Sequence, residues 1–177
     1  MVEMSVESVR INLATGQRVV ILKDGPADRY LFIWIAPPEA ASIAMELQGT
    51  TSPRPLTHDL LKSVIRELGG KVANIVITDL VDDIFYARLV LDINGRHAEV
   101  DSRPSDAIAL AVREKAPIYV TEQVLERAGV TLDASDERDE LRNRERDMLG
   151  AGGRDNLDVY RDFINSLDVL DEFGKSD

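Results

Sequence analysis

The feature that most restricts how this chain can fold is the dipeptide Asn94-Gly95, which separates two runs of strand-forming residues. A two-residue type I′ turn needs positive φ at both central positions, and asparagine and glycine tolerate this better than other residues. The runs on either side are "IFYARLVLDI" (84–93) and "RHAEVD" (96–101). The pattern therefore predicts an antiparallel β-hairpin in this part of the chain.

Other segments alternate between strand and helix signals. Short runs rich in β-branched and aromatic residues predict strands at 5–13, 17–23, 29–36, 71–80 and 117–120. Apolar residues at helical spacing predict helices at 37–49, 57–70 and 121–129, and another after Arg103. The expected class is α+β, with a mostly antiparallel sheet of meander and hairpin, three to four packed helices and a C-terminal tail helix.

The last quarter of the chain differs from the rest in composition. We expect one domain at 1–130, a charged and glycine-containing linker at 131–153, and an acidic amphipathic tail helix at 154–177. The apolar residues of the tail recur at helical spacing and are Leu157, Tyr160, Phe163, Ile164, Leu167 and Leu170. Such a helix must dock on its own domain or on another subunit, so we also expect a homo-oligomer with the tail helix docked.

Net charge limits the ligands that the whole molecule can attract. The formal charge is −11; the first 130 residues hold 14 Lys or Arg against 18 Asp or Glu, and the remaining 47 hold 7 against 14. Neither part has the basic surface that general binding to a phosphate backbone needs. If nucleic acid is bound, it is bound locally or through a metal ion.

Cysteine content and hydropathy indicate a protein of the cytoplasm. The chain has no cysteine, which excludes disulfides, thiolate catalysis and cysteine-ligated zinc. The first residues, "MVEMSVESVR", lack the basic stretch followed by an apolar core that is typical of a secretion signal. The most apolar segment, "YLFIWIAPPEAASIAMEL" (30–47), is interrupted by two prolines and a glutamate, so no membrane association is expected.

Two similar motifs, "RPLTHDLL" and "RPSDAIAL", begin at Arg54 and Arg103. A residue that precedes proline is disfavoured in the α region, so each arginine should lie just before a helix. Thr57 and Ser105 are then expected to cap the two helices. An acid in each first turn would interact favourably with the helix dipole; these acids are Asp59 and Asp106.

The chemistry of these motifs depends on which side chains meet in space. Two helix starts with Arg54, Arg103 and His58 would bind an anion or phosphate if they converge. Convergence of His58 with the carboxylates of Asp59, Asp101 and Asp106 would instead suit a divalent cation such as Mg²⁺ or Mn²⁺. His58 is the candidate general base or metal ligand, and the sequence leaves these alternatives open.

The second histidine of the chain is a weaker candidate. His97 alternates with inward-facing residues in "RHAEV", so we expect it on the surface of a strand. Glu99 and Asp101 share its face by the two-residue period of a strand. A small carboxylate cluster is therefore possible there.

The two motifs, together with "NIVITDLVDDIFYARLVLDINGRHAEVDSRPSDAIALAVREKAPIYVTEQVLERAG", closely resemble the bifunctional nuclease domain family. This α+β family is named for DNase and RNase activity in plant members, and the resemblance covers about residues 4–130. The ending "VYRDFINSLDVLDEF" is similar to the acidic, aromatic tail of bacterial members. The chain thus resembles a bacterial single-domain member.

The resemblance implies a nuclease that hydrolyses DNA, RNA or both, with the two motifs as its site. The candidate catalytic residues are His58, Asp59, Asp106, Arg54 and Arg103. The candidate substrate-binding or anion-binding residues are Thr57, Ser102 and Ser105, and the candidate ligands of a divalent metal are Asp59, Asp101 and Asp106. In this hypothesis the metal activates water and the arginines stabilise the charge that develops on phosphorus.

Two alternatives stay open at the level of the sequence. The chain could be a non-catalytic oligomeric module that binds an anionic ligand or a protein partner through the two Arg-Pro helix starts. Alternatively, the two motifs could serve only to pin the fold. The resemblance favours the enzyme.

Overall fold

The structure is a computed structural model, and it describes residues 1–12 and 15–131. The strands are β1 (Val2–Ile11), β2 (Arg18–Asp24), β3 (Arg29–Ile35), β4 (Gly70–Val81), β5 (Ile84–Ile93), β6 (Arg96–Ser102), β7 (Ile118–Val120) and β8 (Gly129–Thr131). The helices are α1 (Pro37–Leu47), α2 (Thr57–Glu67), α3 (Pro104–Glu114) and α4 (Glu122–Ala128). The predicted α+β class is confirmed, while the short strand β8 was not predicted.

All eight described strands form one sheet in the order β6-β5-β4-β7-β1-β2-β3-β8. Strands β1 to β3 form one antiparallel meander, and β4 to β6 form another. The two meanders are joined by β7, which pairs antiparallel with β1 and parallel with β4. A strand of three residues is therefore the only connection between the two halves of the sheet in the described chain.

The Asn94-Gly95 turn has the conformation that the sequence predicts. The φ angles are 52° at Asn94 and 81° at Gly95, so both lie in the left-handed region. Ile93 and Arg96 face each other across the two strands, which sets the register of the β5–β6 hairpin. The acidic turn before β5 also has two adjacent residues with positive φ, 48° at Asp82 and 62° at Asp83.

The core lies between the sheet and α3, the most deeply buried helix. Residues around its whole circumference are inaccessible to solvent, including Ala107, Ile108 and Leu110. They pack in one apolar cluster with residues of the sheet such as Ile75 and Leu31. Because α3 is covered by the sheet and also contacts α1 and α2, polar side chains at its start are held against two neighbouring helices.

Helix α2 turns its apolar side away from the core. A stripe of this kind is ordinarily the buried side of a surface helix. Here Leu60 is 58% exposed, Val64 44% and Leu68 74%, while His58 on the other side is buried. Within this stripe, Ile65 packs against the core cluster. The periodicity predicts the helix correctly, but it does not predict which side is covered.

Residues 132–177 lie outside the described residues. The linker expected at 131–153, apart from Thr131 at the end of β8, and the tail helix expected at 154–177 stay predictions for this reason. Among the helices of residues 1–12 and 15–131, none has the length and apolar character needed to cross a membrane.

We predict that Gly129→Ala destabilises the fold, because a Cβ at this position would run into the carbonyl oxygen of Leu125 at the junction of α4 and β8. The expected loss in free energy of unfolding is about 1–3 kcal/mol. Gly25→Ala is the matched control, since a Cβ there meets no atom within 4 Å. Urea unfolding of both variants measures the difference, and equal midpoints would contradict the prediction.

Candidate functional site

Both motif helices begin just after an extended residue. Arg103 has φ −67° and ψ 143°, and Pro104 is the first residue of α3, as the rule for residues before proline predicts. At α2 the extended residue is Leu56, with φ −77° and ψ 174°. Arg103 and Leu56 are thus the N-cap residues of their helices.

The expected capping roles of Thr57 and Ser105 are therefore wrong. Thr57 is the first residue inside α2, and Ser105 is the second residue inside α3. In α2 the carboxylate of Asp59 reaches back and accepts a hydrogen bond from the Leu56 backbone N–H at 2.8 Å. In α3 the first residue is a proline, which has no N–H group to cap.

The starts of α2 and α3 meet in space. His58 Nε2 lies 3.1 Å from Asp106 Oδ1, and this contact joins the two helices directly. Arg103 donates from Nε to Asp106 Oδ2 at 2.7 Å and from a terminal nitrogen to Oδ1 at 3.2 Å. The convergence that the sequence leaves open is thus formed through one histidine, one aspartate and one arginine.

His58 is buried and both of its ring nitrogens have partners. Nδ1 lies 2.9 Å from the hydroxyl of Ser42, a buried residue of α1. Because an ionised Asp106 can only accept, Nε2 must carry the proton that it shares with that carboxylate. The neutral ring would then accept at Nδ1 from the Ser42 hydroxyl. A continuous polar chain runs from Ser42 in the interior to Arg103 at the surface.

Glu39, near the start of α1, also belongs to this cluster. Its Oε1 accepts from a terminal nitrogen of Arg103 at 2.7 Å, so the guanidinium bridges two carboxylates. Its Oε2 is buried and has no hydrogen-bond partner in the described part of the chain. An unpaired buried carboxylate oxygen is destabilising, so Glu39 depends on its ion pair with Arg103.

The charges of the cluster keep Asp106 ionised. Partial burial raises the pKa of Asp106, but the hydrogen bonds from Arg103 and His58 outweigh it and bring the pKa below its ordinary value. The pKa of Arg103 is raised, first by Asp106 and then by Glu39. At neutral pH the site therefore presents a carboxylate beside a guanidinium.

A second cluster lies behind the first and is built around Arg113 of α3. This guanidinium is almost fully buried and donates from Nε to Asp59 Oδ1 at 2.6 Å. Its terminal nitrogens donate to the carbonyl oxygens of Ala109 at 2.9 Å and Ser42 at 3.2 Å. The hydrogen bond from Arg113 lowers the pKa of Asp59; burial opposes it, and the Leu56 N–H lowers the pKa further.

The Arg113 cluster explains the orientation of α2. Lys62 donates to the Arg113 carbonyl at 2.6 Å, and Arg66 pairs with Glu114 at 2.9 Å. His58 and Asp59 already face α3, so the polar side of α2 is directed inward. Its apolar residues other than Ile65 consequently point toward solvent.

The expected carboxylates do not fit a common metal site. Both oxygens of Asp106 are engaged by His58 and Arg103, and those of Asp59 by Arg113 and the Leu56 N–H. Asp101 lies in β6 opposite Arg88, with no hydrogen bond or ion pair to the other two. Across residues 1–12 and 15–131, no three His, Asp or Glu side chains are placed to hold a metal ion.

The remaining candidates are spread around the site. Arg54 and Thr57 are exposed, and neither makes a side-chain hydrogen bond or ion pair in the described part of the chain. The Ser102 hydroxyl donates to the Arg103 carbonyl at 3.0 Å. Ser105 is buried and, with Arg103, lines an open cavity of about 270 Å³. The other lining residues are Ile33, Trp34, Ile35, Ala36, Asp83, Ile84, Phe85 and Pro104.

Sequence reasoning missed Glu39, Ser42 and Arg113. Glu39 follows two prolines at a helix start, which is the same arrangement of proline and acid as in the two motifs, although no arginine precedes it. Arg113 follows Ala109 by four residues and so lies on the buried side of α3, where an unpaired charge would not be tolerated. Ser42 gave no comparable signal.

We predict that Asp59→Asn makes the protein less sensitive to acid. Because the folded pKa of Asp59 lies below the unfolded value of about 3.9, its carboxylate contributes stability above that pH. This contribution is lost as the pH falls through the folded pKa. The variant will be less stable at neutral pH, by roughly 1–3 kcal/mol, because Arg113 keeps a weaker partner.

The free energy of unfolding, measured with urea at neutral pH and near pH 2, should therefore fall less in the variant than in the unsubstituted chain. Asp101→Asn is the matched control, since Asp101 is exposed and forms no ion pair in the described residues. A variant that loses as much stability in acid as the unsubstituted chain would show that the Arg113–Asp59 pair is not what acid disrupts.

Comparison with the sequences of known proteins identifies the family of this chain. The sequence model of the bifunctional nuclease domain matches residues 20–133, which include both motifs and every residue of the two clusters. An uncharacterized protein of Mycobacterium tuberculosis is 40% identical over 166 residues, covering 93% of this chain and 94% of that protein.

Plant relatives carry the family name. Bifunctional nuclease 1 of rice, Oryza sativa subsp. japonica, is 31% identical over 121 residues, which span 66% of this chain but 36% of the rice protein. Bifunctional nuclease 1 of Arabidopsis thaliana is 37% identical over 70 residues, or 38% of this chain and 22% of that protein. The chain belongs to the bifunctional nuclease domain family.

Proposed function

We propose that this chain is a nuclease that hydrolyses phosphodiester bonds of DNA, RNA or both, at the start of α3. The observation that carries the proposal is the Arg103–Asp106–His58 arrangement: Arg103 lines an open cavity and is paired with the ionised carboxylate of Asp106, with a histidine behind them. Family membership and the names of the plant relatives support the choice of substrate.

The scissile phosphate would bind at Arg103. Its side chain is 64% exposed, so a ligand can reach it. In the free protein it bridges Glu39 and Asp106, and a bidentate phosphate contact would compete with one of these carboxylates. Ser105 and the N-terminal turn of α3 add hydrogen-bond donors and a favourable dipole on the same side. Arg103 would then stabilise the charge that develops on the phosphate oxygens.

Asp106 is placed to act as the base. When Arg103 turns to the phosphate, Asp106 Oδ2 is released and can accept a proton from the attacking water. The water oxygen then bonds to phosphorus as the bond from phosphorus to the leaving sugar oxygen breaks, and that oxygen takes up a proton from solvent. His58 does not line the cavity, and both of its ring nitrogens are engaged, so it acts as a positioning residue through its contact with Asp106 Oδ1. Ser42 holds the opposite side of the ring, which fixes its orientation.

In the described residues, Asp59 and Asp101 do not lie with Asp106 as ligands of one metal ion. The reaction described above therefore uses only side chains of the protein, and the cleavage assay measures whether Mg²⁺ or Mn²⁺ is required. Because the net charge of −11 repels a polyanion, binding must depend on the local cation at Arg103, and a single phosphate contact should give only a shallow dependence on salt. A cytoplasmic location and a homo-oligomeric state stay predictions.

We predict that Asp106→Asn and His58→Ala each lower the rate of cleavage by about 100-fold or more. The assay uses single-stranded and double-stranded DNA and RNA with Mg²⁺, Mn²⁺ or EDTA. The chain supplies matched controls: Asp101→Asn and His97→Ala change the same residue types at exposed positions of β6 and should leave the rate unchanged.

Two further readouts separate chemistry from loss of fold. Arg103→Lys keeps the charge but loses the bidentate geometry, so it should weaken substrate binding while leaving thermal unfolding nearly unchanged. Asp106→Asn should also remove the acidic limb of the pH–rate profile, which a purely structural role would not affect. Cleavage that survives both Asp106→Asn and His58→Ala would place the activity elsewhere.

A second candidate function has its own supporting observation. Every ionised group of the Arg103 and Arg113 clusters already has a partner within the chain, as expected if the two motifs only hold three helices together. The chain would then be a binding module for an anionic ligand or a protein. Purified protein that binds a phosphate-containing ligand but cleaves no nucleic acid under any of the metal conditions would favour this function.

A further inference from the structure

The outward side of α2 is an apolar surface that the described chain leaves uncovered. Its members are Leu60, Leu61, Val64 and Leu68, and between 39% and 74% of each is exposed. They recur at helical spacing, so they form one stripe along the helix. Single exposed apolar residues are ordinary, but a continuous stripe on one helix indicates a surface that another element covers.

The stripe cannot be buried by rotating α2 within the fold. Its other side is held against α3 by four polar contacts, which include His58–Asp106, Asp59–Arg113 and Arg66–Glu114. Rotation would break the pair around the buried Arg113 guanidinium. The surface must therefore be covered by an element that comes to it.

We propose that the segment 157–170 of the same chain packs as a helix on the Leu60–Leu68 stripe. The segment lies outside the described residues, and its sequence has apolar residues at the spacing of a helix. They are Leu157, Tyr160, Phe163, Ile164, Leu167 and Leu170. As a helix it would be about 21 Å long against about 16 Å for α2, so it is long enough to cover the whole stripe.

Charge favours this occupant over a second copy of α2. The region 154–177 holds seven Asp or Glu and three Lys or Arg. Exposed cations lie just before α2 at Arg54 and just after it at Lys71, which is also paired with Asp92. Two copies of α2 would bring these cations toward one another, whereas the acidic segment complements them.

Chain length permits the contact within one molecule. The described structure ends at Thr131, and 25 residues separate it from Leu157. They can span up to about 80 Å, whereas a domain of this size has a radius of gyration of about 14 Å. Tethering gives the segment an effective concentration near the millimolar range, so we expect the contact in cis at micromolar protein. The inference does not depend on the nuclease proposal.

The absence of cysteine in the chain allows a direct test in the full-length protein. Val64→Cys combined with Phe163→Cys should form an intramolecular disulfide under mild oxidation, at least about tenfold more than the control pair Glu7→Cys and Phe163→Cys. Glu7 is exposed and lies in β1, away from α2. Non-reducing electrophoresis and intact mass separate monomeric from dimeric products.

Three outcomes would overturn the proposal. One is a yield no higher than that of the control pair. Another is a product made mainly of covalent dimers through Phe163→Cys, which would mean exchange of the segment between chains. The last is efficient self-linking of Val64→Cys alone, which would make the stripe an interface between copies of the domain.

Hydrogen exchange provides a second measurement that does not need cysteines. In the unsubstituted chain, amides of 157–170 should be protected, and Leu60→Asp with Leu68→Asp should raise their exchange rate by about tenfold or more. The amides of β4 serve as the internal control for folding. Both substituted side chains point to solvent, so the substitutions should leave the exchange rates of the β4 amides unchanged. An unprotected segment in the unsubstituted chain would contradict the proposal.

Discussion

The buried guanidinium of Arg113 determines how the three helices around the site are arranged. It donates three hydrogen bonds, to a carboxylate of α2, a carbonyl of α1 and a carbonyl of its own helix. A buried cation is tolerated only when it is paired and hydrogen-bonded, so the polar side of α2 has to face α3. That orientation brings His58 to Asp106 and leaves the apolar stripe of α2 outside. One interaction thus accounts both for the assembled site and for the uncovered surface.

The acids of the two clusters all lie at helix starts, which explains why cations are needed between them. Each of α1, α2 and α3 contributes an acid in its first turn: Glu39, Asp59 and Asp106. Three acids at one end of a helical layer would repel one another without cations between them. Arg103 and Arg113 occupy those positions, one near solvent and one buried. The exposed Arg103 can exchange a carboxylate for a ligand. The buried Arg113 cannot, so its role is to hold the helices together.

Local signals in the sequence predicted the elements well. Asn94-Gly95 set a hairpin because positive φ at two adjacent positions admits few residues, and Arg103 was placed outside α3 by the proline after it. Capping was predicted less well, because the N-cap of α2 is Leu56 and not Thr57, and the Asp59 carboxylate accepts from the Leu56 N–H. Local pattern alone does not choose between them.

Features that depend on packing could not be read from the chain. The meeting of His58 with Asp106 joins residues 48 positions apart, and Arg113 with Asp59 joins residues 54 apart. Periodicity identified α2 as amphipathic, but the covered side was decided by a charge on another helix. Asp59, Asp101 and Asp106 suggested a metal site because they belong to the two similar motifs. In the fold Asp59 is paired with Arg113 and Asp106 with Arg103, while Asp101 lies apart from both on β6.

The three-residue strand β7 has a consequence for how motion can travel through the molecule. It follows α3 after only Lys115, Ala116 and Pro117, and it is the seam between the two meanders. A longer strand would add hydrogen bonds between the two halves. Here they are joined by three residue pairs on each side of β7 and by hydrogen bonds such as that from the Ile75 N–H to the Pro117 carbonyl at 3.0 Å. A shift of α3 would therefore be transmitted through three residues to the strand that joins the two meanders. The helix that carries Asp106 is thus coupled directly to the contact between the two halves of the described sheet.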